Sequence, residues 1–402
     1  MDKKERMILI ILAGLNFTHI LDFMVMMPLG NSLIKYFGIS PQLFSWIVAA
    51  YPVTACVAGI ASAFYVDRYD RKKVLLFAYS GFLVGTLCCG IAPDPYFLMA
   101  ARILTGLFGG LIGAQVLSIV ADTFPYEKRG RAMSTIFMAF SVASVVGIPL
   151  SLYLAELISW HAPFIFIVIL GLLILPLIVK YLPPMTSHME GVERQVGRPE
   201  VWKVLGNVLS NKSQVIALLL SGLLMMGHFL IIPFVNPYME FNVGFTSKQI
   251  PLIYVVGGLC AFAASPIIGR MADKYGKFRI FIVCLFLSLI PVFLITNMPR
   301  IPFYYVLVVM GFWFTFSTGR NIPAQAMIST VVDPATRGQF MSFNSSFQQL
   351  FTGMASLIAG MIVVKDAGGK LHHYNWVGYL SVLIILSTVF IARRLAARQQ
   401  LN

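Results

Sequence analysis

The chain is a succession of long apolar stretches separated by short polar ones. Apolar runs lie at 7-34, 41-66, 74-92, 96-121, 132-155, 162-182, 214-239, 248-271, 280-298, 302-331, 339-364 and 375-392. As helix, each is long enough to cross about 30 Å of hydrocarbon. The pattern predicts an all-α membrane protein with twelve transmembrane helices. The one long polar stretch, "PPMTSHMEGVERQVGRPEVWKVLGNVLSNKS", divides the runs six and six. The expected organisation is a six-helix bundle over 1-182, a cytoplasmic linker over 183-213 and a second six-helix bundle over 214-402.

The two sets repeat one another at nearly constant spacing. "PLGN" at Pro28 to Asn31 matches "PFVN" at Pro233 to Asn236, Ser40 matches Thr246, Asp67 matches Asp273, and "RGRAMS" from Arg129 matches "RGQFMS" from Arg337. Ser40 and Thr246 each suit an N-cap. A pseudo-symmetric pair of six-helix bundles is the architecture expected of an alternating-access transporter, whose site lies between the halves.

Composition removes other classes. With 58% hydrophobic and 11% charged residues, the chain is far from a soluble globular protein, at about 45–50% and about 25%. Of the 30 Lys and Arg, only Lys35, Lys248, Arg300, Lys365 and Lys370 fall in loops on one side, and only Arg102 and Arg320 within spans; all others fall on the opposite side. Cytoplasmic loops retain basic residues, which places both termini and the linker in the cytoplasm. The net charge of +14 is then a topology signal, and no soluble basic face remains for nucleic acid. Cys56, Cys88, Cys89, Cys260 and Cys284 all lie in apolar runs without metal spacing or a disulfide framework. The opening "MDKKERMILIILAGLNF" reads as a retained first helix, since its apolar run continues to span length. No nucleophile and base stand at usable spacing, and no nucleotide loop appears, so neither an enzyme nor a cofactor is expected.

The loop motifs carry a resemblance. "AFYVDRYDRKK" follows the pattern G-x-x-x-D-R-x-G-R-K at Asp67, Arg68, Arg71 and Lys72, with Ala63 and Asp70 in the glycine places; Asp enters left-handed backbone more readily than most side chains. "GRMADKYGK" keeps Gly269, Asp273, Gly276 and Lys277. "RILTGLFGG" keeps Arg102 and Gly106 of R-x-x-Q-G-x-G, with Thr105 and Phe108 at the departures. "VASVVGIPLS" is a weakened G-x-x-x-G-P-x-x-G-G, with Ala143, Gly147, Pro149 and Ser151 in comparable places. Over essentially its whole length the chain resembles the major facilitator superfamily, and within it the twelve-helix drug/proton antiporters and sugar-efflux-like permeases.

That resemblance implies a gate and a cavity. Asp67 would face the start of the eleventh helix, Arg71 would reach Asp122, and Lys277 with Asp333 would form the repeat copy, with Arg68 and Asp273 completing the gate. Gly147 and Pro149 would permit close packing and a bend in the fifth helix. The cavity would be lined by helices 1, 4, 7 and 10, and each carries a deep ionisable residue: Asp22 with His19, Arg102, His228 and Arg320.

A carboxylate at a span centre costs roughly 2.5–3.5 kcal/mol and is retained with a partner or a task. By depth, Asp22 and Arg102 meet in the same half of the membrane and suit proton coupling, with His19 one turn from Asp22. Arg320 sits nearer the cytoplasmic end of its helix, where exit toward water is easier. His228, Arg320, Asn16, Met26, Asn236, Trp313 and Gln325 make the expected substrate cavity. The expected function is proton-coupled efflux of a small organic compound, such as a drug, sugar or metabolite, by a monomer in the bacterial inner membrane. Its partners are that substrate, protons and lipid. The alternatives are facilitated or proton-symport uptake, then a lipid transporter or a non-transporting sensor.

Overall fold

A computed structural model describes residues 3–62, 69–124, 126–186, 206, 210–332 and 337–399. Helices dominate: α1 (Lys3–Val25), α2 (Gly30–Phe37), α3 (Pro41–Ser62), α4 (Arg71–Gly90), α5 (Pro95–Thr123), α6 (Tyr126–Val142), α7 (Ile148–Leu157) and α8 (Ala162–Tyr181) form a first set. A second comprises α9 (Lys212–Phe229), α10 (Ile232–Tyr238), α11 (Ile250–Tyr275), α12 (Lys277–Thr296), α13 (Phe303–Ser329), α14 (Arg337–Ile362) and α15 (Tyr374–Gln399). Among the described residues, ten stretches are long and apolar enough to cross a membrane, and large apolar side chains such as Phe390, 72% exposed, clothe the outside. The protein is an integral, multi-pass membrane protein. The helices α13 and α14 are as long, at 27 and 26 residues, yet stand outside those ten. They carry the polar Arg320, Asn321, Gln325, Asn344, Gln348 and Gln349.

Helix starts follow local chemistry. Asp94 accepts from the amides of Tyr96 and Phe97 ahead of Pro95, and Asn211 accepts from those of Ser213 and Gln214; both satisfy donors that have no partner within the first turn. Asp70 departs from the left-handed role expected of a glycine replacement. Its φ is −54° and ψ 120°, and its carboxylate accepts from the amides of Lys72 and Met185 at 2.9 Å. Gly276, the repeat position, does take positive φ, at 98°. Ser40 caps α3 through the Leu43 amide. Thr246 does not act the same way: it donates to the Gln249 side chain, and α11 starts only at Ile250. The runs 7-34 and 214-239 are also not single helices. The first breaks before Gly30, and the second breaks at Leu230 and Ile231.

Five packing pairs hold the first set together: α3 with α5, α4 with α5, α4 with α8, α1 with α6 and α1 with α8. Their counterparts in the second are α11 with α13, α12 with α13, α12 with α15, α9 with α14 and α9 with α15. The sets meet where α3 lies against α14 and α7 against α11. Glycine is required on α5, where a side-chain carbon at Gly106 or Gly110 would collide with the backbone of Tyr51 or Ala55 on α3. That close approach seats Arg102 and Tyr51 next to each other. A short hairpin pairs Val364 with His372 and Lys365 with Leu371.

Candidate functional site

Arg102 and Arg320, both fully buried, define the interior. Arg102, from α5, donates from Nη1 to Oδ2 of Asp22, from α1, at 2.7 Å, and both side chains are buried from solvent. Thr86, from α4, donates to the other carboxylate oxygen at 3.2 Å. Tyr51, from α3, lies with its ring centre 4.6 Å from the guanidinium carbon, a cation–π contact. Its hydroxyl is 2.8 Å from Nε2 of His19, and Phe82 packs edge-on to that imidazole. Four helices thus converge on one carboxylate. Taking two ions out of water costs several kcal/mol each, and their attraction offsets this only where geometry and added hydrogen bonds are good. Here the short ion pair and the Thr86 bond satisfy both carboxylate oxygens, while Arg102 Nε is buried without an acceptor.

The second arginine has no such partner. Trp313, Ser317, Arg320 and Asn321 stand on one face of α13 by helical spacing. Arg320 is 0% exposed and donates from Nη1 to the Ser288 hydroxyl on α12 at 2.7 Å. Among the described residues no carboxylate lies within 4 Å of it. Its Nε and Nη2 are buried without an acceptor, as are the polar atoms Trp313 Nε1, Ser317 Oγ, Asn321 Oδ1 and His228 Nδ1 without a partner. The His228 ring sits 5.1 Å from that of Trp313. The expected easy exit of Arg320 toward water is overturned: its side chain is enclosed by the helices.

Aromatic rings join the two places. Tyr51 meets Phe23 at 5.5 Å, Phe23 meets Phe229 at 5.8 Å, Phe229 meets His228 at 5.5 Å, and His228 reaches Trp313. The step from Phe23 to Phe229 crosses between the two helix sets.

The remaining expected cavity residues have separate surroundings. Asn16 donates to the Ile136 carbonyl, Met26 is buried in the largest apolar cluster, and Gln325 is half-buried on α13. Asn236 bridges the sets, donating to the Pro28 carbonyl at 3.0 Å and accepting from Tyr254. Beside it Glu240 accepts from Asn31 and Lys35. Lys35 and Glu240 are 205 positions apart, the spacing that relates Asn31 to Asn236. Repeat-equivalent residues of opposite charge therefore meet at the junction and close this end of the bundle. Sequence reasoning missed this pair although the repeat contained it. It also missed Tyr51, Thr86 and Ser288, whose types carry no signal apart from the charged residues they serve.

Of the expected gate, Asp67, Arg68 and Asp333 lie outside the described residues, as does the Asp122 side chain. Arg71 is buried at the start of α4. Asp273 and Lys277 line a surface cleft with Tyr275 and Arg279. Gly147 closes a π-helical segment, Ala143–Gly147, and packs on Leu21 of α1, with Pro149 in the first turn of α7. Val145 of this segment meets Gly258 of α11 across the sets.

The Major Facilitator Superfamily model matches residues 12–233 and 217–400. The chain belongs to that superfamily. Within it, the chain is 24% identical over 368 residues to the MFS-type transporter YceJ of Bacillus subtilis, covering 91% of this chain and 90% of that one. It is 33% identical to Multidrug resistance protein 3 of the same organism over 145 residues, 36% of this chain and 28% of the relative. The fold is similar to that of a crystallised D-xylose-proton symporter, with TM-score 0.75, 17% identity and coverage of 96% and 97%. The superfamily transports small molecules across membranes, and in this member the Asp22–Arg102 pair and Arg320 are fully enclosed charges within the helices.

Proposed function

We propose that this superfamily member is a twelve-helix, monomeric secondary transporter that exports a small organic compound in exchange for protons by alternating access. In this reading α13 and α14 complete the twelve spans. Both termini and the linker lie in the cytoplasm of a bacterium, and the two sets rock as six-helix bundles about the junction. The contact closing the end at Lys35 and Glu240 then seals the outer face.

The observation that carries the reading is the buried Asp22–Arg102 pair with its two satisfied carboxylate oxygens. While Arg102 holds Asp22, the carboxylate stays ionised; when rocking separates them, a buried carboxyl takes a proton to shed its charge. Asp22 is the proton carrier, Arg102 sets when it loads, and His19 reports on the pair through Tyr51.

The test uses purified protein in liposomes with an imposed pH gradient and a trapped pH indicator. Wild type moves protons when substrate is added. Asp22→Asn loses that flux and retains downhill exchange, because Asn keeps the shape and the acceptor for Arg102 but cannot titrate. Substrate-driven proton flux through Asp22→Asn would remove the reading. A purely structural pair would instead give misfolded single variants and a functional neutral double variant.

A further inference from the structure

We infer that Arg320 is the carboxylate-binding residue of this transporter and that the substrate class is aromatic monocarboxylates. This rests on the transport reading above and adds to it the chemistry of the cargo.

The guanidinium of Arg320 is enclosed, yet only Nη1 is engaged, by Ser288. The unpartnered Nε and Nη2 share one edge of the planar group. Their N–H bonds point the same way at the spacing of two carboxylate oxygens, the fork that recognises carboxylates in pairs of parallel hydrogen bonds. Lacking an anionic neighbour among the described residues, Arg320 is a desolvated cation that one bound carboxylate would neutralise. Ser317, on the same helix face and also without a partner, supplies a further hydroxyl. Ser288 fixes the rotation of the guanidinium, so the fork is oriented before ligand arrives.

The body of the ligand is specified by what adjoins. From His228 and Trp313 the ring series continues through Phe229 to Phe23, an apolar run of π faces suited to a flat aromatic ring. The unpartnered Trp313 Nε1 and His228 Nδ1 offer polar contacts to ring substituents. A cation would meet Arg320 with repulsion, and a neutral ligand would leave that charge unneutralised. The site is closed in this state, and rocking of the helix sets opens it.

The experiment is equilibrium binding of radiolabelled benzoate by the purified transporter in detergent, with benzamide and chloride as competitors. Wild type binds benzoate, with benzamide at least tenfold weaker as a competitor and chloride ineffective at matched concentration. Arg320→Gln lowers benzoate affinity at least tenfold. Arg320→Lys, which keeps the charge and much of the stem, retains binding weakened by loss of the fork, and it keeps the inference testable should the Gln variant not fold. Absence of benzoate binding, equal competition by benzamide or by chloride, or wild-type affinity in the Arg320 variants would overturn it. Binding needs no membrane gradient, so intact binding without transport in liposomes would remove the transport reading alone. Proton-coupled transport of an uncharged compound by protein that ignores benzoate would remove this inference alone.

Discussion

Arg102 and Arg320 are the same residue in similar burial, on α5 and α13, yet one is neutralised and the other is not. Arg102 has a carboxylate at 2.7 Å and a tyrosine face; Arg320 has one serine hydroxyl. The difference separates two tasks. A pair that can exchange its ionic bond for a proton is complete without ligand, whereas a buried cation with an open fork is completed by ligand. In the proposed mechanism the N-terminal helices carry the proton and the C-terminal helices hold the cargo.

The largest effects break this comparison directly. Arg102→Met removes one partner of a buried pair and lowers unfolding stability by up to about 3–5 kcal/mol. Arg320→Met removes a buried cation without an ionic partner and leaves stability unchanged or raises it, while abolishing benzoate binding. Thermal unfolding of the two variants from pH 5 to pH 8 decides between them. Equal losses would mean that both arginines are structural.

A smaller effect lies at the junction. Glu240→Gln removes the charge that holds Lys35 and weakens the closed end by about 0.2–1 kcal/mol, enough to shift populations without unfolding. Spin labels at the exposed Tyr36 and Gly244 should show a larger share of long distances in the variant; unchanged distributions would remove the latch.

The smallest effect is a pH response of the hairpin. His372 donates to Asp366 at 2.8 Å, and this bond, reinforced by the Lys370 amide, holds the exposed carboxyl below its ordinary value of 3.8. A depressed carboxyl stabilises above its unfolded value and loses that contribution as pH falls through the folded one. Hydrogen-exchange protection of the Lys370 amide, corrected for intrinsic rates, should be flat from pH 7 to pH 5 and decline below about pH 4. Decline already at pH 6 would mean that the Asp366 carboxylate is not what holds this amide.

Much of this was legible in the chain. Apolar runs give helices because a span must satisfy its own backbone, and Asp22 and Arg102 were matched by depth alone because rise per residue is fixed. The repeat also contained the Lys35–Glu240 contact, since positions near a twofold axis meet their own equivalents. What escaped depends on rotation about helix axes: that Tyr51 rather than Asp22 takes His19, that Ser288 anchors Arg320, and that Asn16 turns to a carbonyl. Depth does not encode azimuth in helices apolar on every side. Asp70 escaped for another reason, since a cap formed with Met185 links segments distant in sequence.

The most direct measurement of the central claim is proton release by solubilised protein on adding benzoate, compared among wild type, Asp22→Asn, Arg102→Gln and the double variant. Wild type should release protons as it binds, and Asp22→Asn should bind benzoate without release. The double variant should likewise release none, and Arg102→Gln should release fewer than wild type, because Asp22 without its cation holds its proton. Release persisting in Asp22→Asn at wild-type amplitude would contradict the account, for the proton would then come from elsewhere.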